Sequence, residues 1–505
     1  MDSRPDSHLL LLMMFTVAIS SAAFYLSLGL EPWWWPIWLA ALPILWITPR
    51  ISWPVAAAVA MAARLIGGLS MWGYHQRLQF PLWLRLEVLL APSLAFCAGV
   101  LLFRGFLRRG KPWFAILAFP AAMVTYEYLI SLVFGTFEIT GYTQLKNLPV
   151  LQLGSLTGLW GISFAVMLFP SMIAAILLSQ RKMRLQLMIA FAIIFGGVLM
   201  YGGWRLLTTP RAPHTIAVGL VASDLPKNFF PQNDAEAMRL MRDYAEQVKL
   251  LSQRGAKIVV LPEMTALVRD SISGQMDELF QETARAASVQ VVVGVLHVTP
   301  NNAFNEARLY SDMGALKAVY RKHHLVPVIE GRTSPGDDIS VVPQAVGTIG
   351  LEICRDMDYS DPARRYGKAK AGLVLVPAWD FDVDRLWHGH MAIMRAVEDG
   401  FTLVRVAKAG LLTVSDDRGH VLAEAVTTPK EPFTTLLTTA PVRHDVTLYQ
   451  SWGDWFAWIN LVIFACLFAV FVAKQSTKIS QPVASCSSAA QEVRSFTNAA
   501  HSRRA

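Results

Sequence analysis

The chain has 505 residues, 54% hydrophobic and 16% charged, with a mean hydropathy of +0.39 and a formal net charge of +8. An ordinary soluble domain carries roughly 25% charged residues. This composition therefore excludes a disordered chain, a collagen-like fibre and a disulfide scaffold, and leaves a membrane protein that carries a soluble domain. Excess Lys and Arg on such a chain belongs to cytoplasmic loops, so the charge is not a nucleic-acid signal. Four cysteines (Cys97, Cys354, Cys466 and Cys486) are too few for a disulfide framework, and only Cys354 lies in the middle of a water-soluble stretch.

Residues 1–207 are mostly apolar. A membrane span needs about 20 residues, and the apolar runs place spans near 9–29, 35–48, 54–74, 86–103, 113–134, 151–178 and 185–206, of which 35–48 is the shortest. The first is read as an anchor, because no small-residue cleavage site follows it. With the N-terminus inside, the inner loops hold Arg50, then Arg104, Arg108, Arg109 and Lys111, then Arg181, Lys182 and Arg184; Lys474 and Lys478 follow a final span at 451–474. The outer loops hold little beyond Arg77 and Lys146. That asymmetry predicts both termini in the cytoplasm and residues 208–450 on the external face, provided that 35–48 crosses. Tryptophan clusters at Trp33–Trp35 and at Trp452, Trp455 and Trp458 suit the headgroup zone. Residues 475–505 are a Ser-rich polar tail, expected to be disordered.

Residues 208–450 alternate β-branched runs with helical spacing, which predicts one layered α/β domain. Strands are expected at 215–221, 257–261, 289–298, 345–354, 372–377, 402–407 and 411–415, with a hairpin over 307–310 and 315–320. Helices are expected at 234–254, 278–288 and 386–399. In the first of these, Ala237, Leu240, Met241, Tyr244, Val248 and Leu251 share one face.

Reactive groups in α/β enzymes sit at strand ends. Glu263 follows Val-Val-Leu-Pro, Lys322 lies in Tyr-Arg-Lys-His-His-Leu-Val-Pro, and Cys354 follows Gly-Leu-Glu-Ile. A thiol becomes a strong nucleophile once a base takes its proton, a carboxylate can be that base, and an ammonium can hold an oxyanion. Together the three make an acyl-transfer device. No Gly-x-Ser-x-Gly elbow supports a serine nucleophile, and His323-His324 and His388-x-His390 lack further ligands at metal spacing.

With Leu261-Pro-Glu263, Arg321-Lys322-x-His-Leu325 and Ile353-Cys354 in this order, the domain resembles the nitrilase (carbon–nitrogen hydrolase) superfamily. The resemblance implies an αββα sandwich with Glu263 as general base, Lys322 as oxyanion stabiliser and Cys354 as nucleophile. The whole chain resembles the apolipoprotein N-acyltransferase family, over about residues 9–474. The segment 149–164, Glu127, the run 322–327, Glu330, the segments 388–395 and 410–415, and Thr447 to Asp454 carry that likeness. It implies a phospholipid acyl donor, a diacylglyceryl-cysteine lipoprotein acceptor, a bacterial inner membrane, and no metal or dissociable cofactor. Glu330, Arg355 and Asp356 then belong to the substrate pocket or its support. Cys354-Arg355-Asp356 stands where the family has Cys-Tyr-Glu, the aromatic residues around the family's glutamate are absent beside Glu330, and the arm from Glu330 to Gly336 is short. These departures keep open a membrane-bound amidase, or an acyltransferase with another amine acceptor.

Overall fold

The computed structural model describes residues 7–229, 231–326 and 329–479. The polar tail beyond Ile479 thus lies outside the described residues. Among the described residues, seven helices are long and apolar enough to cross a membrane: Ser7–Ser27, Trp53–Arg77, Leu82–Arg108, Pro112–Phe134, Gly154–Leu178, Arg181–Leu207 and Trp455–Ala473. The residues through Phe464 form one compact unit, and those from Ala465, helical through Ile479, a second.

The run expected to span at 35–48 is shorter and broken. Ile37–Ala40 and Leu42–Ile47 are separate helices, followed by a 3-10 turn at Thr48–Arg50. Pro36, Pro43 and Pro49 fall at or next to the start of each piece, where a missing N–H costs least. At 1.5 Å per residue, about 14 residues reach roughly 20 Å, short of a 30 Å hydrocarbon core. Ile37, Ala40, Ile44, Leu45 and Ile47 are buried, packed against the Gly154–Leu178 helix and not turned to lipid.

Among the described residues, thirteen strands build two sheets: β1 (His214–Ala222), β2 (Ile258–Val260), β3 (Ala266–Arg269), β4 (Gln290–Val298), β5 (Ala303–Tyr310), β6 (Leu316–Arg321), β7 (Ser340–Gln344), β8 (Gly347–Leu351), β9 (Leu373–Trp379), β10 (Thr402–Lys408), β11 (Leu411–Ser415), β12 (Val421–Val426) and β13 (Thr434–Val442). One sheet runs β13-β1-β2-β4-β5-β6, with β3 also pairing β4; the other runs β12-β11-β10-β9-β8-β7. The sheets face each other across an apolar layer that includes Val218, Leu220, Val260, Val292, Leu309, Ile349, Leu375 and Val406. Burying each such side chain stabilises by roughly 1.5–3 kcal/mol.

Helices Asp234–Gln253 and Asp270–Ala287 cover the first sheet through Leu240, Met241, Tyr244, Val248, Met276 and Phe280. Asn233 caps the first helix by accepting from the Glu236 N–H at 2.9 Å, while Glu236 reaches back to the Gln232 N–H. The second helix begins two turns before the expected 278: Ile272 and Met276 already continue the buried face of Phe280, while Asp270, Ser273 and Asp277 bond to His297 and Arg308.

Helix Arg385–Asp399 covers the second sheet and is buried on both sides. Ala392, Ile393 and Ala396 face the sheet, while Trp387, Met391, Met394 and Val397 pack with Leu151, Leu159, Trp160 and Ile162 of the helical body. The outer layer of the αββα sandwich is therefore also its dock on the membrane helices. Gly158 makes the dock possible. Its φ of 65° kinks the Gly154–Leu178 helix, and a Cβ there would stand 2.3 Å from the Tyr449 ring. The kink frees the Leu159 N–H, which donates to Glu398 at 2.7 Å.

Candidate active site

Glu263 lies in the break between β2 and β3. Its N–H donates to the Ala378 carbonyl of β9 in the opposite sheet at 3.2 Å. Gly294 of β4 allows this close crossing, since a Cβ there would fall 2.3 Å from the Pro262 oxygen. Lys322 follows β6, with its N–H held by the Asn305 carbonyl at 2.9 Å. Cys354 opens the 3-10 turn Cys354–Asp358 that follows β8. It has a φ of 44°, a left-handed conformation that costs a non-glycine residue about 1–2 kcal/mol. Such strain concentrates at functional positions.

The Lys322 ammonium donates to Glu263 Oε1 at 2.8 Å and to Glu330 Oε2 at 2.8 Å, and all three side chains are buried. An ammonium has three donors, so one remains. Burial alone would discharge Lys322. The charges of Glu263 and Glu330, with the hydrogen bond to Glu263, outweigh it and hold its pKa above the ordinary lysine range. Two carboxylates against one ammonium leave net negative charge beside the thiol. Burial first, then the Glu263 charge, push the Cys354 pKa well up, against the pull of Lys322. The resting sulfur is thus a neutral thiol, and it donates to the Trp379 carbonyl at 3.5 Å.

The other expected pocket residues divide. Glu330 faces inward, accepting from Lys322, from the Val326 N–H at 2.8 Å and from Asn305 Nδ2 at 2.6 Å. Asp356 is fully enclosed. It accepts from Tyr320 Oη at 2.6 Å and from the His324 N–H at 2.7 Å, fastening the turn that begins at Cys354 to the loop after Lys322. Burial opposes its charge, yet the His324 and Tyr320 hydrogen bonds keep its pKa below the usual carboxylate value. Arg355 remains partly exposed.

Three further residues complete the site and carry little sequence signal. Asn305 Nδ2 donates to Glu263 Oε1 and to Glu330 Oε1, both at 2.6 Å, and so spaces the two carboxylates that grip Lys322. Lys408 ends β10; its Nζ donates to the Met264 carbonyl at 2.7 Å and lies 3.6 Å from the centre of the Trp379 ring. Trp379 in turn stacks on Phe229 at 5.6 Å. Asn305 sits in an ordinary strand and Lys408 in a buried one, and nothing local distinguishes either from packing. The strand-end rule would have found Lys408 and Trp379, because β9 and β10 run parallel and finish together.

A buried carboxylate and ammonium in contact, with a thiol at the next strand end, can form and resolve a covalent acyl intermediate. A family model for carbon–nitrogen hydrolases matches residues 227–447, and one for the apolipoprotein N-acyltransferase N-terminal domain matches residues 20–172. Apolipoprotein N-acyltransferase from Geobacter metallireducens is 24% identical, over 72% of this chain and 75% of that one. The protein of the same name from Pseudomonas syringae pv. tomato is 25% identical, over 91% and 93%. Among solved structures, an amidase from Nesterenkonia sp. aligns with 21% identity over 48% of this chain and 95% of that chain, at a TM-score of 0.39. Matched in both its membrane helices and its soluble domain, the chain belongs to the apolipoprotein N-acyltransferase family of membrane-embedded carbon–nitrogen hydrolases.

Proposed function

We propose that this multi-pass membrane protein is an acyltransferase that carries a fatty acyl group from a phospholipid to the N-terminal amine of a diacylglyceryl-cysteine lipoprotein. Cys354 is the nucleophile, Glu263 the general base and Lys322 the oxyanion stabiliser. As the Cys354 sulfur attacks the phospholipid ester carbon, its proton passes to Glu263. A C–S bond forms, and the carbonyl oxygen gains charge beside the remaining Lys322 donor. The ester C–O bond then breaks, and the leaving alkoxide takes the proton from Glu263 as lysophospholipid departs. The acceptor amine attacks the thioester, gives its proton to Glu263, and releases Cys354 as its thiol. No metal or dissociable cofactor takes part.

The observation that carries this reading is the Lys322 ammonium clamped between two buried carboxylates, with Glu263 tied to the strand whose end accepts from Cys354. A neutral resting thiol supports it, because a base that acts only during attack leaves no idle thiolate to oxidise. The docking of the sandwich on apolar helices supports lipid substrates. The Lys and Arg distribution supports both termini cytoplasmic and the domain at 208–450 on the external face, between membrane parts at 1–207 and 451–474, and the family likeness supports a bacterial inner membrane. That arrangement requires the enclosed Ile37–Arg50 segment to complete a crossing.

The test uses the full chain in detergent–lipid micelles with phosphatidylethanolamine and a diacylglyceryl-cysteine peptide. Intact-mass spectrometry should show one acyl group on Cys354 that moves to the peptide amine. Transfer only to water or to another amine would replace the acceptor and leave the thioester. Absence of any adduct would overturn the reading.

A further inference from the structure

Among the described residues the Arg355 guanidinium, next to Cys354, has no carboxylate in hydrogen-bond contact. The guanidiniums of Arg308, Arg395 and Arg405 are buried, and each is paired with a carboxylate: Glu306 at 2.8 Å, Glu398 at 2.7 Å and Asp380 at 2.8 Å. Arg355 follows the nucleophile. Among the described residues its one polar partner is the Tyr359 hydroxyl, 3.2 Å from Nη2. Its Nε is enclosed with no acceptor. Asp358 contributes a favourable field without a hydrogen bond. An enclosed donor left without an acceptor costs free energy that a bound anion would recover.

The surroundings tie this cation to the end of an apolar helix. Tyr359 stacks on His324, with ring centres 3.7 Å apart and planes 8° apart, and its ring packs over Gly135. The N–H and Oγ1 of Thr136 donate to the Asp358 carbonyl at 2.8 and 2.7 Å. Gly135 and Thr136 directly follow the Pro112–Phe134 helix. The turn that bears both Cys354 and Arg355 is thus fastened to the end of an apolar span. A lipid ascending that helix would bring its ester and its headgroup to the same turn.

Resting on the acyl-transfer reading above, we propose that Arg355 selects the donor by binding the phosphodiester of the phospholipid whose ester Cys354 attacks. Phosphate and ester carbonyl are joined through one glycerol, and the guanidinium and sulfur stand on consecutive residues. A guanidinium matches the two free phosphate oxygens as a planar fork, which an ammonium does not. The acceptor amine carries no such anion, so the effect belongs to the first half-reaction.

The experiment measures thioester formation without acceptor, comparing phosphatidylethanolamine with diacylglycerol bearing the same chains. The two share the ester and differ in the phosphate. Arg355→Gln should lower the rate ratio of phospholipid to diacylglycerol at least about tenfold, through KM, and Arg355→Lys should recover part of it. A ratio unchanged in Arg355→Gln overturns the proposal, and so does an equal fall with both donors, which marks a structural role. Acyl-enzyme preformed on each variant is then given peptide acceptors with and without an acidic second residue. A loss confined to acidic peptides overturns donor selection and assigns the cation to the acceptor. Failure of the acyl-transfer reading itself would look different, because the unsubstituted protein would form no thioester with either donor.

Discussion

Lys322 and Lys408 are equally enclosed, 2% and 1% exposed, and both feel the charge of Glu263, yet their surroundings set opposite charge states. Two carboxylates at 2.8 Å keep Lys322 an ammonium. Lys408 has a neutral carbonyl and an aromatic face, and burial pulls its pKa down to about 7 against the weaker pulls of Glu263 and Asp224. Burial alone therefore says nothing about what a lysine does; the identity of its nearest oxygens decides. A fixed cation suits oxyanion stabilisation, and a lysine poised near neutrality does not.

The strongest way to break this contrast is to delete both charges. Lys322→Met should reduce thioester formation by about a thousandfold, read as lysophospholipid release, whereas Lys408→Met should cost less than about tenfold. Equal losses would show that the two lysines share the task. Next in size, Glu330→Gln removes one of the two carboxylates on Lys322 and loosens its aim, for a loss of about a hundredfold. Losing a negative neighbour also lowers the Lys322 pKa, so the alkaline limb of the pH–rate profile should move down; a limb that stays put would deny Glu330 its electrostatic part.

Asn305→Ala sharpens the comparison through stability. It leaves Glu263 Oε1 and Glu330 Oε1 without a shared donor, at about 1–3 kcal/mol, visible as a lower Tm in detergent and a fall in kcat larger than any change in KM. The last contrast concerns pH. The folded pKa of Lys408 lies below its unfolded value, so the folded state binds fewer protons between about pH 7 and 10.5. Stability therefore rises with pH across that window. Relative to Lys408→Met, the unsubstituted protein should gain Tm from pH 7 to pH 10, and a constant difference would mean that Lys408 keeps its charge throughout.

Much of the architecture is legible along the chain because its causes are local. The apolar runs that became helices Pro112–Phe134 and Gly154–Leu178 announce themselves by length. The face of Ala237, Leu240, Met241, Tyr244, Val248 and Leu251 announces helix Asp234–Gln253 by period. Glu263 and Cys354 stand out because β2 and β8 end just before them. Strands β12 and β13 carry no such signal of their own. Val421–Val426 is largely exposed and Thr434–Val442 is rich in threonine, so neither has the apolar alternation that marks a core strand.

By itself the sequence determined which segments are apolar enough for lipid, which fold as a layered α/β domain, and which strand ends carry a carboxylate, an amine and a thiol. These follow from composition and from spacing between near neighbours. Tertiary structure alone decided that Ile37–Arg50 is a packed, broken segment, that helix Arg385–Asp399 serves both the second sheet and the membrane body, and that Asn305 bridges two glutamates. It also decided which lysine stays charged. Lys322 meets Glu263 across 59 residues of chain, and Lys408 meets the Met264 carbonyl across 144. A charge state depends on the dielectric and on the nearest oxygens, and folding brings both from distant parts of the chain.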